Sequence, residues 1–241
     1  MQSSLVRSFA EAIRHVMASE DLATTLSTIV EATRGSLPGA DHVGISVPHG
    51  DGSVETVVAT DPFVRRLDEL QYDLGEGPCL EALSSQNPTR IVDARQEDRW
   101  PRFIPKAVDL GLRSQLGVPL HLDGQTLGGL NLYATRVGAF TEETARLMEL
   151  FSAHAAAAMG VARKVEDLYA ALATRKVIGT AIGIVMERYE LDEQRAFQYL
   201  TRVSQTSNTK VRDLAAELVA NANDRNGLPA DRPREQDDPE L

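Results

Sequence analysis

Apolar residues recur at helical spacing near both ends of the chain and at strand spacing through its middle. Leu5, Val6, Phe9, Ile13, Val16 and Met17 predict an amphipathic first helix. Leu22, Leu26, Ile29 and Val30 predict a second, which stops near Gly35 and runs into a Gly-Ser-Leu-Pro-Gly loop. Residues 41–47 and 54–60 read as strands joined by a Pro-His-Gly-Asp-Gly turn. Residues 63–72 and 78–85 predict helices, separated by the Leu74-Gly75-Glu76-Gly77-Pro78 breaker. A short strand follows at 89–92, then a helix at 100–110 with Pro101 in its first turn. Residues 114–121 and 127–134 pair as a hairpin around Asp123-Gly124. This order predicts an α+β fold, an antiparallel sheet with helices on its faces.

The pattern then becomes helical and stays so. Thr141 is positioned to cap a long helix, with Glu143 and Thr144 in its first turn. Met148, Phe151, Ala155, Ala158, Ala162, Val165, Tyr169 and Leu172 alternate spacings of three and four, a heptad seam with small residues in its middle. The seam fits a parallel helix joining two protomers, or a helix packed on its own sheet. Its register ends at Leu172, because the continuation reaches Lys176 and Gly179. Three short helices follow. Val177, Ile178, Ala181, Ile184, Val185 and Met186 mark the first. Ala196, Phe197, Leu200 and Val203 mark the second, and Val211, Leu214, Ala215 and Leu218 the third. So small a bundle barely fills a core and suits the presentation of a surface.

Two resemblances rest on these segments. Ile178-Gly179-Thr180-Ala181-Ile182-Gly183-Ile184-Val185-Met186, then Ala196-Phe197-x-x-Leu200, then Ser207-Asn208-Thr209-Lys210-Val211-Arg212-Asp213-Leu214-Ala215 resemble the ANTAR domain. That family binds RNA and acts in transcription antitermination. Ile182 departs from it, standing where the family commonly has Lys or another polar residue. The Gly-Glu-Gly-Pro-Cys-Leu turn, Arg99-Trp100-Pro101-Arg102-Phe103, Ser-Gln-Leu-Gly-Val-Pro-Leu and Gly-Gly-Leu-Asn-Leu-Tyr resemble a GAF domain over roughly residues 22–160. GAF domains bind many ligands or none. The implied organisation is an N-terminal helix (1–20), a GAF sensor (21–140), a signalling and dimerisation helix (141–172), an ANTAR module (173–222) and a disordered acidic tail (223–241) containing Pro229, Pro233 and Pro239.

Composition adjusts this picture. The 241 residues suffice for one large domain or two modest ones. No apolar run approaches the roughly 20 residues that span a bilayer, and the N-terminus lacks a secretory pattern. Cys79 is the one cysteine, so an internal disulfide is excluded and a reducing cytoplasm is the simplest location. A net charge of −10 argues against a generic polyanion binder. Within the ANTAR-like module, Arg175, Lys176, Arg188, Arg195, Arg202, Lys210 and Arg212 are nearly balanced by acids, so any binding face is local.

No catalytic set is visible: there is no phosphate loop, His-Glu-x-x-His or Gly-x-Ser-x-Gly. His15, His42, His49, His121 and His154 are scattered: each reads as an ordinary surface or core His, with a haem or metal role for a single one as the minor alternative. Cys79 opens a predicted helix, which favours a thiolate, while Glu76 and Glu81 oppose it. It reads as a redox switch or as a small buried filler. The GAF resemblance makes Leu74, Gly75, Cys79, Trp100 and Phe103 candidates for a ligand pocket, or simply core, and names no cofactor. Gly179 and Gly183, one turn apart, suggest close approach, of the second helix first and of RNA second. The ANTAR resemblance puts RNA contact on Asn208, Lys210 and Arg212, with Asn208 capping the third helix, and then on Arg175 and Arg202.

The expected function is an RNA-binding antitermination regulator, homodimeric, whose GAF domain senses a signal. Its partners are RNA hairpins, with neither membrane nor DNA expected. The alternatives are a protein-interaction adaptor and a constitutive RNA-binding dimer on a ligand-free GAF scaffold.

Overall fold

The computed structural model describes residues 10–225 except 12, 19, 20 and 38. Most of the predicted first helix and the tail from 226 onward lie outside the described residues. Residues 13–17 are helical, and Val16 is buried. The chain forms two compact units, residues 1–166 and 167–241.

In the first unit, α1 (Leu22–Ser36) starts at Asp21, whose carboxylate accepts from the Thr24 N–H at 2.8 Å. Five strands follow in the chain: β1 (His42–Pro48), β2 (Val54–Ala59), β3 (Thr89–Ile91), β4 (Ser114–Leu122) and β5 (Gln125–Ala134). They form one sheet of order β2-β1-β5-β4-β3, antiparallel at every pairing. Between β2 and β3 lie α2 (Pro62–Leu74) and α3 (Pro78–Ser85), and between β3 and β4 lies α4 (Phe103–Asp109). The β4–β5 turn has Asp123 at φ 50° and Gly124 at φ 81°, the two left-handed positions of the tightest hairpins. The predicted helix at 100–110 begins only at Phe103. Residues 101 and 102 form a turn, and the Trp100 carbonyl accepts from the Phe103 and Ile104 amides.

The long helix α5 runs unbroken from Glu142 to Tyr189, 48 residues. Thr141 caps it as expected, its hydroxyl accepting from the Thr144 N–H at 3.1 Å. The linker and the first ANTAR-like helix are thus one element, because no Pro or left-handed residue interrupts 142–189. This helix is also long and apolar enough to cross a membrane by length and composition, with mean hydropathy 1.4 in its best window. That departs from the expectation of no such segment.

The 148–172 seam fits a dimer contact or a helix packed on its own sheet, and its first half takes the second course. Met148, Phe151, Ala155 and Ala158 belong to the core of their own unit, with Val43, Ile45, Leu116 and Leu130, and Ala162 is buried as well. The sheet's apolar face needs a cover, and this half of α5 supplies it. Gly160 permits the close approach, since a Cβ there would lie 2.4 Å from Leu122. Val165, Tyr169 and Leu172 are exposed, and so are Val161 and Leu168.

In the second unit, α5 ends at Glu190 (φ 52°), α6 spans Glu193–Ser207 and α7 spans Val211–Arg225. Helix α7 therefore takes in the first residues assigned to the tail. Ala181, Val185, Ala196, Leu200 and Ala215 form a small core, flanked by Val177, Ile178, Ile182, Met186 and Leu218.

Candidate functional site

The sheet has two buried faces of opposite character. Val43, Ile45, Leu116, Val118, Leu120, Leu130 and Leu132 line the apolar one. Alternation puts Ser46, Gln115, Gly117, Asn131 and Tyr133 on the other. Polar alternate residues normally face water. Here Ser46, Gln115, Asn131 and Tyr133 are fully buried, and α3 packs against β4 and β5.

These side chains form a network. Thr56 Oγ1 donates to Asp68 Oδ2 at 2.8 Å, and the Tyr133 hydroxyl donates to Asp68 Oδ1. The Tyr72 hydroxyl donates to Ser46 Oγ at 2.6 Å. Asn131 Nδ2 donates to Ser46 Oγ at 2.8 Å and to Cys79 Sγ at 3.1 Å. Burial pushes the Asp68 carboxyl up to about 6, against the pull of its Tyr133 and Thr56 hydrogen bonds. Burial, and then the Asp68 charge, hold Tyr133 well above its ordinary value. Three buried atoms have no hydrogen-bond partner among the described residues here: Gln115 Nε2, Gln115 Oε1 and Asn131 Oδ1. An unpaired buried polar atom costs roughly 1–3 kcal/mol, so such atoms on one wall mark a place to look for a ligand.

The five pocket residues expected from sequence divide. Leu74, Trp100 and Phe103 share one apolar cluster with Val64, Ile91 and Ile104. Gly75 ends α2 in the left-handed conformation, φ 64°. The two loops that carry them are tied by Glu76, which accepts from Arg102 Nε at 2.6 Å and from the Arg102 N–H at 2.9 Å. Arg99 stacks over Trp100, 4.3 Å from the ring centre. Cys79 alone joins the polar network. Burial, and then the Asp68 charge, push its thiol up to about 12, the opposite of a reactive thiolate. Full burial fits the filler reading of Cys79, with its sulfur bonded to Ser46 and Asn131. Gln115, Asn131, Ser46 and Asp68 were missed. Strand alternation was the sequence signal for Ser46, Gln115 and Asn131, and it also fits an ordinary wet face; Asp68, on α2, carried none.

The histidines do not converge. His42 Nδ1 lies 2.5 Å from Asp61 Oδ2, and His49 Nε2 lies 3.1 Å from Glu55 Oε2. Among the described residues no three His, Cys, Asp or Glu side chains are grouped to hold a metal.

In the second unit Asn208 does not cap the third helix. It is left-handed (φ 53°) and ends α6, its N–H donating to Ser204 O. Asn tolerates this conformation better than most residues. The Lys210 carbonyl accepts the first α7 bonds, from the Asp213 and Leu214 amides. Arg212 Nε is paired with Asp213 at 2.9 Å. Lys210, Arg175 and Arg202 are exposed. Gly179 and Gly183 do not mark helix packing: a Cβ at either would meet nothing within 4 Å. Ile182 is half-buried against the small core and borders a groove with Phe197 and Gln194.

A five-stranded antiparallel sheet of this order, with helices on both faces, defines an α+β domain. The GAF domain model matches residues 19–160, and the ANTAR domain model matches residues 166–219. The chain belongs to the GAF domain family and carries an ANTAR domain, an RNA-binding regulatory domain, behind it. The GAF domain of an Acinetobacter phosphoenolpyruvate-protein phosphotransferase is 14% identical, with TM-score 0.52 over 68% of this chain and 97% of that one. A Coxiella burnetii domain of the same description is 20% identical, with TM-score 0.53 over 68% and 98%. A free methionine-R-sulfoxide reductase from Neisseria meningitidis, in complex with its substrate, is 16% identical, with TM-score 0.51 over 67% and 91%. At these identities the likeness is one of fold. No curated protein matches the sequence significantly.

Proposed function

We propose that this protein is a transcription antitermination regulator: its GAF domain senses a signal and its ANTAR domain binds hairpins in nascent RNA. The observation that carries the reading is the union of the two domains in one chain, at 19–160 and 166–219, with α5 running without a break from the first match into the second. Stabilising one RNA structure at the expense of a terminator lets polymerase continue. A signal alters RNA binding only if it binds two states of the protein unequally. The organisation into a GAF sensor, a signalling helix and an ANTAR module belongs to the same proposal. The protein is regulatory rather than catalytic, and the cytoplasm is its place of action.

The functional unit is a homodimer. Its contact is the exposed stripe Val161, Val165, Leu168 and Leu172, spaced four, three, four, rather than the buried start of the seam. The signal is a small polar molecule that pairs with Gln115 and Asn131. One observation favours the rival reading of a ligand-free GAF scaffold: Ser46, Cys79 and Asn131 already bond one another.

Crosslinking followed by RNA sequencing in the native cell, with readthrough measured on the recovered RNAs in a purified transcription system, tests the proposal. Enriched hairpins whose terminators are read through only with this protein present support it. Recovery of no RNA above background refutes it. Native mass spectrometry of the freshly purified protein and of Gln115→Leu separates sensor from scaffold: a retained small molecule lost in the variant supports the sensor.

A further inference from the structure

Two of the exposed tyrosines of the second unit pair with each other outside its core. Tyr189, the last residue of α5, and Tyr199, in α6, are 48% and 38% exposed. Their ring centres lie 5.1 Å apart, tilted by 38°, and their hydroxyls are 3.4 Å apart. The small core is complete without them, being built from Ala181, Val185, Ala196, Leu200 and Ala215. Leaving two paired rings in water forgoes their burial, so the pair calls for a partner that uses an aromatic face.

The charges around the pair indicate which. Arg195 and Arg202 lie one turn before and one turn after Tyr199, on the same side of α6. Arg188 acts electrostatically on Tyr199 from α5. Arg188 and Arg202 are exposed, with no carboxylate within salt-bridge distance among the described residues, whereas Arg195 is 3.5 Å from Asp192. Glu187, Glu190, Asp192 and Glu193 oppose them, so the positive charge left unpaired sits on Arg188 of α5 and Arg202 of α6. An aromatic pair with arginines one turn to either side of it on α6 suits a flat base on a phosphate backbone.

We propose that the Tyr189–Tyr199 pair is a stacking platform for an unpaired base of an RNA hairpin loop, with Arg202 and Arg188 holding the adjoining phosphates. This rests on the RNA-binding reading above and moves its centre from the Asn208–Arg212 end to the α5–α6 end. Loop bases are available for stacking, whereas those of a duplex are not. The platform therefore separates looped from fully paired RNA, which the arginines alone do not.

The test uses the full chain and two probes: a hairpin RNA pool with a fixed stem and randomised loop, and the same stem as a blunt duplex. Tyr199→Leu should weaken binding to the loop pool between about fivefold and a hundredfold, the range of one lost base stack. Duplex binding should stay within about twofold, because phosphate contacts are kept. Tyr199→Phe should retain loop binding, since stacking needs the ring and not the hydroxyl. Tyr189→Leu is the second variant, should Tyr199→Leu disturb folding. Equal loop-pool affinity for wild type, Tyr199→Leu and Tyr189→Leu overturns the platform and leaves the RNA-binding reading standing. Failure of the wild type to bind either probe at low salt overturns both.

Discussion

Replacing both Gly179 and Gly183 by alanine is expected to stabilise the three-helix unit by about 2 kcal/mol. Each glycine within a helix costs roughly 1 kcal/mol relative to alanine, through backbone entropy. Nothing in the chain opposes the change: both residues lie within α5, and an added Cβ meets no atom within 4 Å at either position. A gain of about 2 kcal/mol is roughly a thirtyfold fall in the opening equilibrium. Native-state hydrogen exchange should read this as a similar slowing at the amides just after Gly183. Loss of stability, or unchanged exchange, would refute the reasoning, since it would mean that the native protein covers this face. Affinity for hairpin RNA, measured on the same variant, says whether RNA is what comes close: a methyl group leaves binding intact unless a backbone packs against the glycines.

The other predictions concern the first unit and the dimer. Asp68, pushed up to about 6 from an ordinary value of 3.8, favours folding when protonated. That contribution, on the order of 3 kcal/mol, is complete below about pH 4 and gone above about pH 6. Urea unfolding of wild type and Asp68→Asn should therefore show the wild type losing stability relative to the variant as pH rises through this window; parallel profiles would refute the shift. Cys79 should resist thiol reagents in the native protein and react only on unfolding, because it is buried and its thiol is held near 12; rapid native labelling would contradict this. Leu168→Glu should weaken self-association at least tenfold by sedimentation, while Trp100 fluorescence in the first unit is unchanged; an unaltered dimer would remove the Val161–Leu172 stripe as its contact.

Sequence by itself determined the order of elements, the hairpin turn and both families, because hydrophobic period, Asp123-Gly124 and short motifs are local properties. It also marked the apolar residues of α5 and the capping Thr141. Only the tertiary structure decided which neighbour each face meets. Met148 and Phe151 fit a dimer seam or a domain core equally well by spacing, and the uncovered apolar face of the sheet claims them. Gln115 and Asn131 read as the wet side of a strand until α3 is seen packed across β4 and β5. Asn208 looked like a helix start and proved to be a helix end, since the same side chain suits a cap and a left-handed residue. Tyr189 and Tyr199, ten residues apart, meet only because the left-handed turn at Glu190 folds α6 back along α5. Period and propensity are written in the chain; the partner of each face is fixed by the packing of elements distant in sequence.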